Sequence, residues 1–355
     1  MQPRQLEEPG VIEPNYPRAR RTRVLSGSLA LAALAVLASL LSPGVPAQPG
    51  PAAPAAAEPT SFVQPTDVAW TDLDWHDAAR ARDVPARLYL PQASGPWPLV
   101  VFSHGIGGSR AGYSHLGRHF ASHGIASLHV QHVGSDRSLW AGNPLTLVTR
   151  LHGAAQEREA VHRARDLSFA LDRLLDGPHG ARVDRERIVA AGHSYGANTA
   201  MLAAGARVVR GGQPLDLRDA RLRAVLLLSA PPFYGEADVA SVLGAVTVPS
   251  LHVTTTDDVI RIPGYESPAS DRIGVFDAIG GPRKALAVFA GGSHSVFTDR
   301  TGTGGVALNQ RIKAATQELA VAFVRSVLDG ADAPLRDWSE RHRALVTRYS
   351  DAAAH

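Results

Sequence analysis

The chain has 355 residues, 45% of them hydrophobic, which is ample for a globular core and excludes disorder throughout. Its formal charge of +3 falls to +1 once residues 1–47, with five arginines and three glutamates, are set aside, and no clustered basic face survives to mark a nucleic-acid partner. Cysteine is absent, so disulfides, thiolate metal sites and a cysteine nucleophile are all excluded.

The N-terminus reads in three zones: the basic stretch RARRTR (Arg18 to Arg23), the apolar run VLSGSLALAALAVLASLL (Val24 to Leu41), and SPGVPAQ, where Val45 and Ala47 suit a small-residue cleavage site. That layout predicts a signal peptide over residues 1–47, cleaved after Ala47, and a secreted or periplasmic protein. Left uncleaved, 18 apolar residues at about 1.5 Å each would reach roughly 27 Å and act as a membrane tether. Residues 48–60, QPGPAAPAAAEPT, form a Pro/Ala-rich linker with nothing to bury, and a single catalytic domain is expected over 61–355.

Within that domain VAWTDLDW and ARLYLP predict a strand pair, and PLVVFSHG (Pro98 to Gly105) a buried strand ending in glycine. SHLGRHFASHG predicts a helix closed by Gly124, IASLHVQHV a strand, and Gly134 to Ala154 a polar and aromatic loop. QEREAVHRARDLSFALDRLLDGP sets Val161, Ala164, Leu167, Leu171 and Leu174 on one helical face before Gly177 and Pro178 stop it. The strand RIVAAGHS then leads into Ser194, followed by a small-residue helix, NTAMLAAGARVV. Three more strands are expected at Ala224 to Ala230, Ser250 to Thr256 and Ala285 to Gly291, with a last amphipathic helix from Leu308 to Leu328 ending at Gly330. Strands separated by helices imply right-handed crossovers and a mostly parallel α/β sheet with helices on both faces.

In such a sheet chemistry gathers where strands end and helices begin. GHSYG puts Ser194 at one such end, fenced by Gly192 and Gly196 that a tight strand-to-helix turn requires. A serine hydroxyl needs a base to become nucleophilic, and the base needs an orienting carboxylate. His294, in GGSHSVF after the last strand, is the best-placed base; His104 and His193 sit beside the motifs without freedom to swing in, and His76 and His252 read as sheet or surface positions. TTTDDVIRIP offers two acids, Asp257 and Asp258, of which the spacing from the strand end favours Asp258. The developing oxyanion needs two amide donors, and the natural pair is Ile106 in SHGIGGSR and Tyr195, whose ring would line the acyl site.

Four ordered motifs, FSHGIGG, GHSYGA, TTTDDVIRIP and GGSHSVF, together resemble the α/β-hydrolase superfamily, and more narrowly its dienelactone-hydrolase-like and platelet-activating-factor-acetylhydrolase-like esterases, over roughly Val68 to Leu328. The resemblance implies an α/β-hydrolase fold and a cofactor-free serine esterase with Ser194 as nucleophile, His294 as base and Asp258 as orienting acid, acting on a small-molecule or lipid ester. Polyester-degrading cutinases are more distant cousins; they carry a tryptophan where this chain has SAPPFYGE and a C-terminal disulfide it cannot form, although Trp140, Phe233 or Tyr234 could supply an apolar shelf. A non-catalytic binding protein on the same scaffold is the reading from another class. His115, His119 and His123, four apart on one helix, and HVQHVGSD (His129 to Asp136) suggest metal sites only superficially, because residues three apart on a strand face opposite ways; no metal is expected.

Overall fold

The computed structural model describes residues 68–351 other than 234, 237, 263, 264 and 301–304. The signal peptide expected over residues 1–47 and the linker expected over residues 48–60 fall outside the described residues.

Nine strands make one sheet: β1 (Trp70–Asp77), β2 (Arg82–Tyr89), β3 (Trp97–Ser103), β4 (Ala126–Val130), β5 (Val183–His193), β6 (Leu222–Leu228), β7 (Ser250–Asp257), β8 (Lys284–Ser293) and β9 (Val346–Asp351). Their spatial order is β1-β2-β4-β3-β5-β6-β7-β8-β9. From β4 to β8 every neighbour is parallel, whereas β1, β2 and β9 join antiparallel at the two edges.

Alternate residues of the central strands face opposite layers, and both layers are dry. Leu99, Val101, Leu128 and Ala190 pack with Leu167 and Leu171 of α3 (Glu157–Leu175) and with Ala197 and Met201 of α4 (Tyr195–Ala203). Val100, Phe102, Val189 and Ala191 pack instead with Leu116 and Phe120 of α1 (Ser114–Ser122) and Leu319 and Phe323 of α7 (Val306–Asp329). Near-continuous apolar strands are what a parallel sheet covered on both faces demands. The remaining helices are α2 (Leu147–Ala154), α5 (Val239–Leu243), α6 (Ser270–Ala278) and α8 (Ala333–Arg341). This strand order, with crossover helices on both faces, is the α/β-hydrolase fold.

Several expectations need correction. The segment from 134 to 154 is not all loop: Leu147, Leu151 and Ala154 recur at helical spacing and bury against Leu139, so its second half folds as α2. On α3, Val161 is only half buried, while Glu159, Arg163 and Asp166 point inward, because a polar layer lies beneath the helix where a wholly apolar one was expected. Beyond Gly330 the chain continues as α8 and β9; Trp338 is fully buried and donates its indole N–H to the carbonyl of Ala315 at 2.8 Å, which docks the C-terminal segment on α7. The helix after Ser194 begins at Tyr195, three residues earlier than its small-residue run suggested.

Three strand histidines, His129, His193 and His252, are buried in the sheet. Burial pushes their imidazoles from an ordinary value near 6.5 down to about 4, 3 and 3 respectively. Between pH 6.5 and about 4 the unfolded chain therefore binds protons that the folded chain refuses, so stability falls as pH drops through that window. Urea unfolding at pH 5 is expected to give a free energy lower than at pH 7 by about 2 kcal/mol for each such histidine; superimposable curves would show that the three are not held neutral.

Candidate active site

The register of the parallel strands brings their carboxyl ends together: Ser103 lies opposite Gly192, His193 opposite Leu228, and Ser293 opposite Asp257. Each sequence-derived candidate lies on or just beyond one of these ends.

Ser194 joins β5 to α4 with φ 55° and ψ −121°, a conformation that side-chain-bearing residues seldom adopt. Surrounding bonds over-determine it. Its N–H donates to the carbonyl of Leu228 at 2.9 Å, and its own carbonyl accepts the amide of Ala197 at 2.9 Å. The turn is so sharp that a Cβ at Gly192 would overlap the Gly196 carbonyl, and one at Gly196 would overlap the carbonyl of Ser103. Glycine at both positions is thus a steric requirement.

His294 reaches Ser194 from the loop after β8. Ser194 Oγ donates to its Nε2 at 2.8 Å, and its Nδ1–H donates to Asp258 Oδ1 at 2.7 Å, so the partners set the tautomer. Of the two candidate acids the structure turns Asp258 inward, fully buried, and leaves Asp257 exposed with Thr256 donating to it. Burial opposes the charge on Asp258, but His294 and then Arg272 outweigh it and hold the carboxyl below the usual carboxylate range. Thr254 donates to its second oxygen at 2.7 Å, and Arg272 Nε stands 3.5 Å from it. The loop is moored by Asp299, which accepts the His115 ring N–H at 2.7 Å and the Ser114 amide at 3.1 Å at the start of α1.

The turn after β3 lies beside the residue before Ser194: a Cβ at Gly105 would meet the ring and carbonyl of His193. The carbonyl of Gly105 accepts the Nδ1–H of His104 at 2.7 Å and the amide of Gly108 at 3.0 Å. A planar trans peptide then points the Ile106 N–H the opposite way. Gly107 N–H donates to Ser135 O at 2.8 Å, and the Trp140 indole donates to Gly107 O at 2.8 Å. Among the described residues the amides of Ile106 and Tyr195 carry no hydrogen bond, the first on this turn and the second at the N-terminus of α4. That pair can receive negative charge.

One expectation fails here. The ring of Tyr195 does not line an acyl site; it lies over the guanidinium of Arg163, 4.4 Å from carbon to centroid, with its hydroxyl buried. The cation draws the π-face inward. Of the three shelf candidates, Trp140 sits against the turn that carries Ile106, Phe233 packs on the inner core, and Tyr234 lies outside the described residues. A cavity of about 490 Å³ lies apart from Ser194; it shares Leu139 with the cluster against which Ile106 packs, and is otherwise lined by Gly134, Arg150, Gly153, Gln156 and Glu159 among others.

The histidine-rich segments have other partners. His115 pairs with Asp299, His119 and His123 stack on each other at 4.2 Å, and His132 pairs with Asp166 at 3.1 Å. Among the described residues no group of three His, Cys, Asp or Glu side chains could hold a metal ion. Sequence reasoning missed what His193 does. Its Nε2–H donates to the carbonyl of His294 at 2.9 Å, and its Nδ1 accepts from Tyr113 Oη at 2.8 Å. Its place directly before Ser194 was a signal that could have found it.

Residues 84–157 match the family model described as platelet-activating factor acetylhydrolase, isoform II. Among curated proteins the chain is similar to the platelet-activating factor acetylhydrolase of Bos taurus, 32% identical over 136 residues, covering 29% of this chain and 31% of that protein. Its counterpart in Canis lupus familiaris is 29% identical over 153 residues, covering 34% of each chain. That of Cavia porcellus is 30% identical over 149 residues, covering 33% and 34%. The chain thus matches about a third of the length of these relatives. The family match takes in the turn that carries Ile106 and ends before Ser194.

The glycine fence yields a direct check. Gly196→Ala is expected to lower unfolding free energy by about 3 kcal/mol or more, since backbone must move to admit the methyl group. Gly153→Ala, on α2 with open space around it, is expected to gain up to about 1 kcal/mol. Denaturant titration of both variants compares the two directly.

Proposed function

We propose that this chain is an exported serine hydrolase that cleaves carboxylic esters through an acyl-enzyme on Ser194. The observation that carries the reading is the unbroken hydrogen-bonded line Ser194–His294–Asp258; the amides of Ile106 and Tyr195, which have no partner among the described residues, support it.

The chemistry follows from that line. Ser194 Oγ attacks the ester carbonyl carbon as its proton passes to His294 Nε2. The imidazolium that forms is stabilised by the ionised carboxylate of Asp258, which stays unprotonated. Negative charge gathers on the former carbonyl oxygen, where the amides of Ile106 and Tyr195 supply donors worth about 3 kcal/mol each. Collapse expels the alcohol, which takes the proton from His294. Water then enters, gives a proton to His294 and attacks the acyl carbon; as the acid departs, Ser194 Oγ takes that proton back from His294 and the resting site is restored.

A lipid-type ester is the substrate class we favour. The relatives' printed name, acetylhydrolase, supports a short acyl group, and the exposed apolar groups Trp140 and Leu145, 37% and 75% exposed, support an apolar remainder. Trp140 also favours a second reading, a polyester bond lying across its ring. Export rests on the basic, apolar and small-residue zones of residues 18–47. N-terminal sequencing of protein recovered from outside the cytoplasm is expected to begin at Gln48.

Ser194→Ala is expected to remove fluorophosphonate labelling and to lower kcat on p-nitrophenyl acetate by about 10⁴-fold or more, and Asp258→Asn by about 10³- to 10⁴-fold. Equal turnover by wild type and Ser194→Ala would refute the reading. Trp140→Ala, assayed across a series of acyl chains and on a polymer film, is expected to change preference among esters while sparing the reaction with fluorophosphonate.

A further inference from the structure

Arg163 is a fully buried cation in the middle of α3, and its partners are unusual. Its Nε–H donates to Thr199 Oγ1 at 2.9 Å, its Nη1 to Ser135 Oγ at 2.8 Å, and its Nη2 to Ser103 Oγ at 3.1 Å and to the carbonyl of His104. The flat face covers the Tyr195 ring. Among the described residues no carboxylate forms an ion pair with it. Its helix neighbours Glu159 and Asp166 are engaged by Arg80 and Arg82. They reach Arg163 only through intermediates: Ser135 donates to Glu159 at 2.8 Å, and His132 links Asp166 to Ser103. Burial lowers its pKa to about 10, which leaves it charged at neutral pH.

Burying a cation without a direct counter-ion is costly, and an apolar side chain would suit this core position better on stability grounds alone. What the cost accompanies is position. The His104 carbonyl lies two residues before Ile106. Ser135 fixes the other side of the turn, since its carbonyl holds the amide of Gly107. Thr199, whose hydroxyl also donates to the carbonyl of Tyr195 at 3.1 Å, belongs to the first turns of α4. One planar fork therefore grips both segments whose amides, at Ile106 and Tyr195, carry no hydrogen bond among the described residues, with the rigidity a guanidinium provides and an ammonium does not.

We propose that Arg163 is the positioning residue of the oxyanion site: it locks the turn bearing the Ile106 amide to the helix bearing the Tyr195 amide, and places a fixed positive charge behind both. The proposal rests on the serine-hydrolase reading above. Interactions of this kind act in the transition state and leave ground-state binding almost untouched.

The test compares Arg163→Lys, which keeps the charge and loses the fork, and Arg163→Met, which loses both, with Thr199→Val and Ser135→Ala, each of which removes one tie. Measured are kcat and KM on p-nitrophenyl acetate and the inhibition constant of a trifluoromethyl ketone, whose hemiketal oxygen occupies the oxyanion position. Expected are a fall in kcat of about 100-fold for Arg163→Lys, more for Arg163→Met, and about 10-fold for each single-tie variant, with KM within about threefold and ketone affinity falling in step with kcat. Where the Arg163 variants fail to fold, Thr199→Val and Ser135→Ala decide. Folded variants that keep kcat and ketone affinity, in a background where wild type turns over and is labelled by fluorophosphonate, overturn the proposal and leave the hydrolase reading standing. A wild type that shows neither turnover nor labelling overturns both.

Discussion

The site depends on one close approach: the first turn of α4 lies against the end of β3, so that a methyl group on Gly196 would overlap the Ser103 carbonyl. This contact forces the chain to reverse between His193 and Tyr195, and the reversal drives Ser194 into positive φ. A strained residue at that point costs on the order of 1–3 kcal/mol, which the flanking parallel strands must offset. In exchange the serine hydroxyl is held at the rim while α4 aims its first amides at the same spot. Parallel pairing of β3, β5, β6, β7 and β8 then makes the other contributions meet there, because each strand delivers its following loop to the same edge of the sheet.

Beneath that rim the interior is not uniformly apolar. Arg80 and Arg82 from the first hairpin pair with Asp166 and Glu159 of α3, and these continue through His132, Ser103 and Ser135 to Arg163. A salt-bridge network below a sheet edge is a poor source of stability, since desolvating each charge offsets most of the attraction. It is directional, however. Loops that turn away from apolar strands acquire fixed hydrogen-bond partners in this layer, and the turn that carries Ile106 is one of them.

How much of this could be read from residues alone depends on the range over which each signal acts. Ser194 and its glycines are a local steric pattern, so they were visible within five residues, and the apolar strands followed from their runs. Spacing from the strand end favours Asp258 over its neighbour, and the path of the chain after β7 agrees, turning Asp258 under His294 and leaving Asp257 in solvent. Arg163 gave no sign of itself: in a helix with several exposed arginines, one that points inward is distinguished by what lies beneath it. The same reason explains Tyr195, whose ring faces a cation supplied from 32 positions earlier in the chain. After Gly330 the polar sequence carries one large anchor, Trp338, and its burial depends on a groove that α7 and β8 create together.

The two halves of the site are also joined directly. The amide of Gly105 donates to Tyr113 Oη at 3.2 Å, Tyr113 donates to His193 Nδ1, and His193 Nε2–H donates to the carbonyl of His294. Each group in this line has a single workable role, because an amide can only donate and a carbonyl can only accept. The order holds only while His193 is neutral, and burial, seconded by His294, pushes its pKa down to about 3. Neutrality has a further consequence: the rings of His193 and His294 are 4.9 Å apart, so a charged His193 would oppose the imidazolium that general-base catalysis by His294 would create. His193 is thus a spacer whose hydrogen bonds position His294 and whose burial keeps a competing charge away from it.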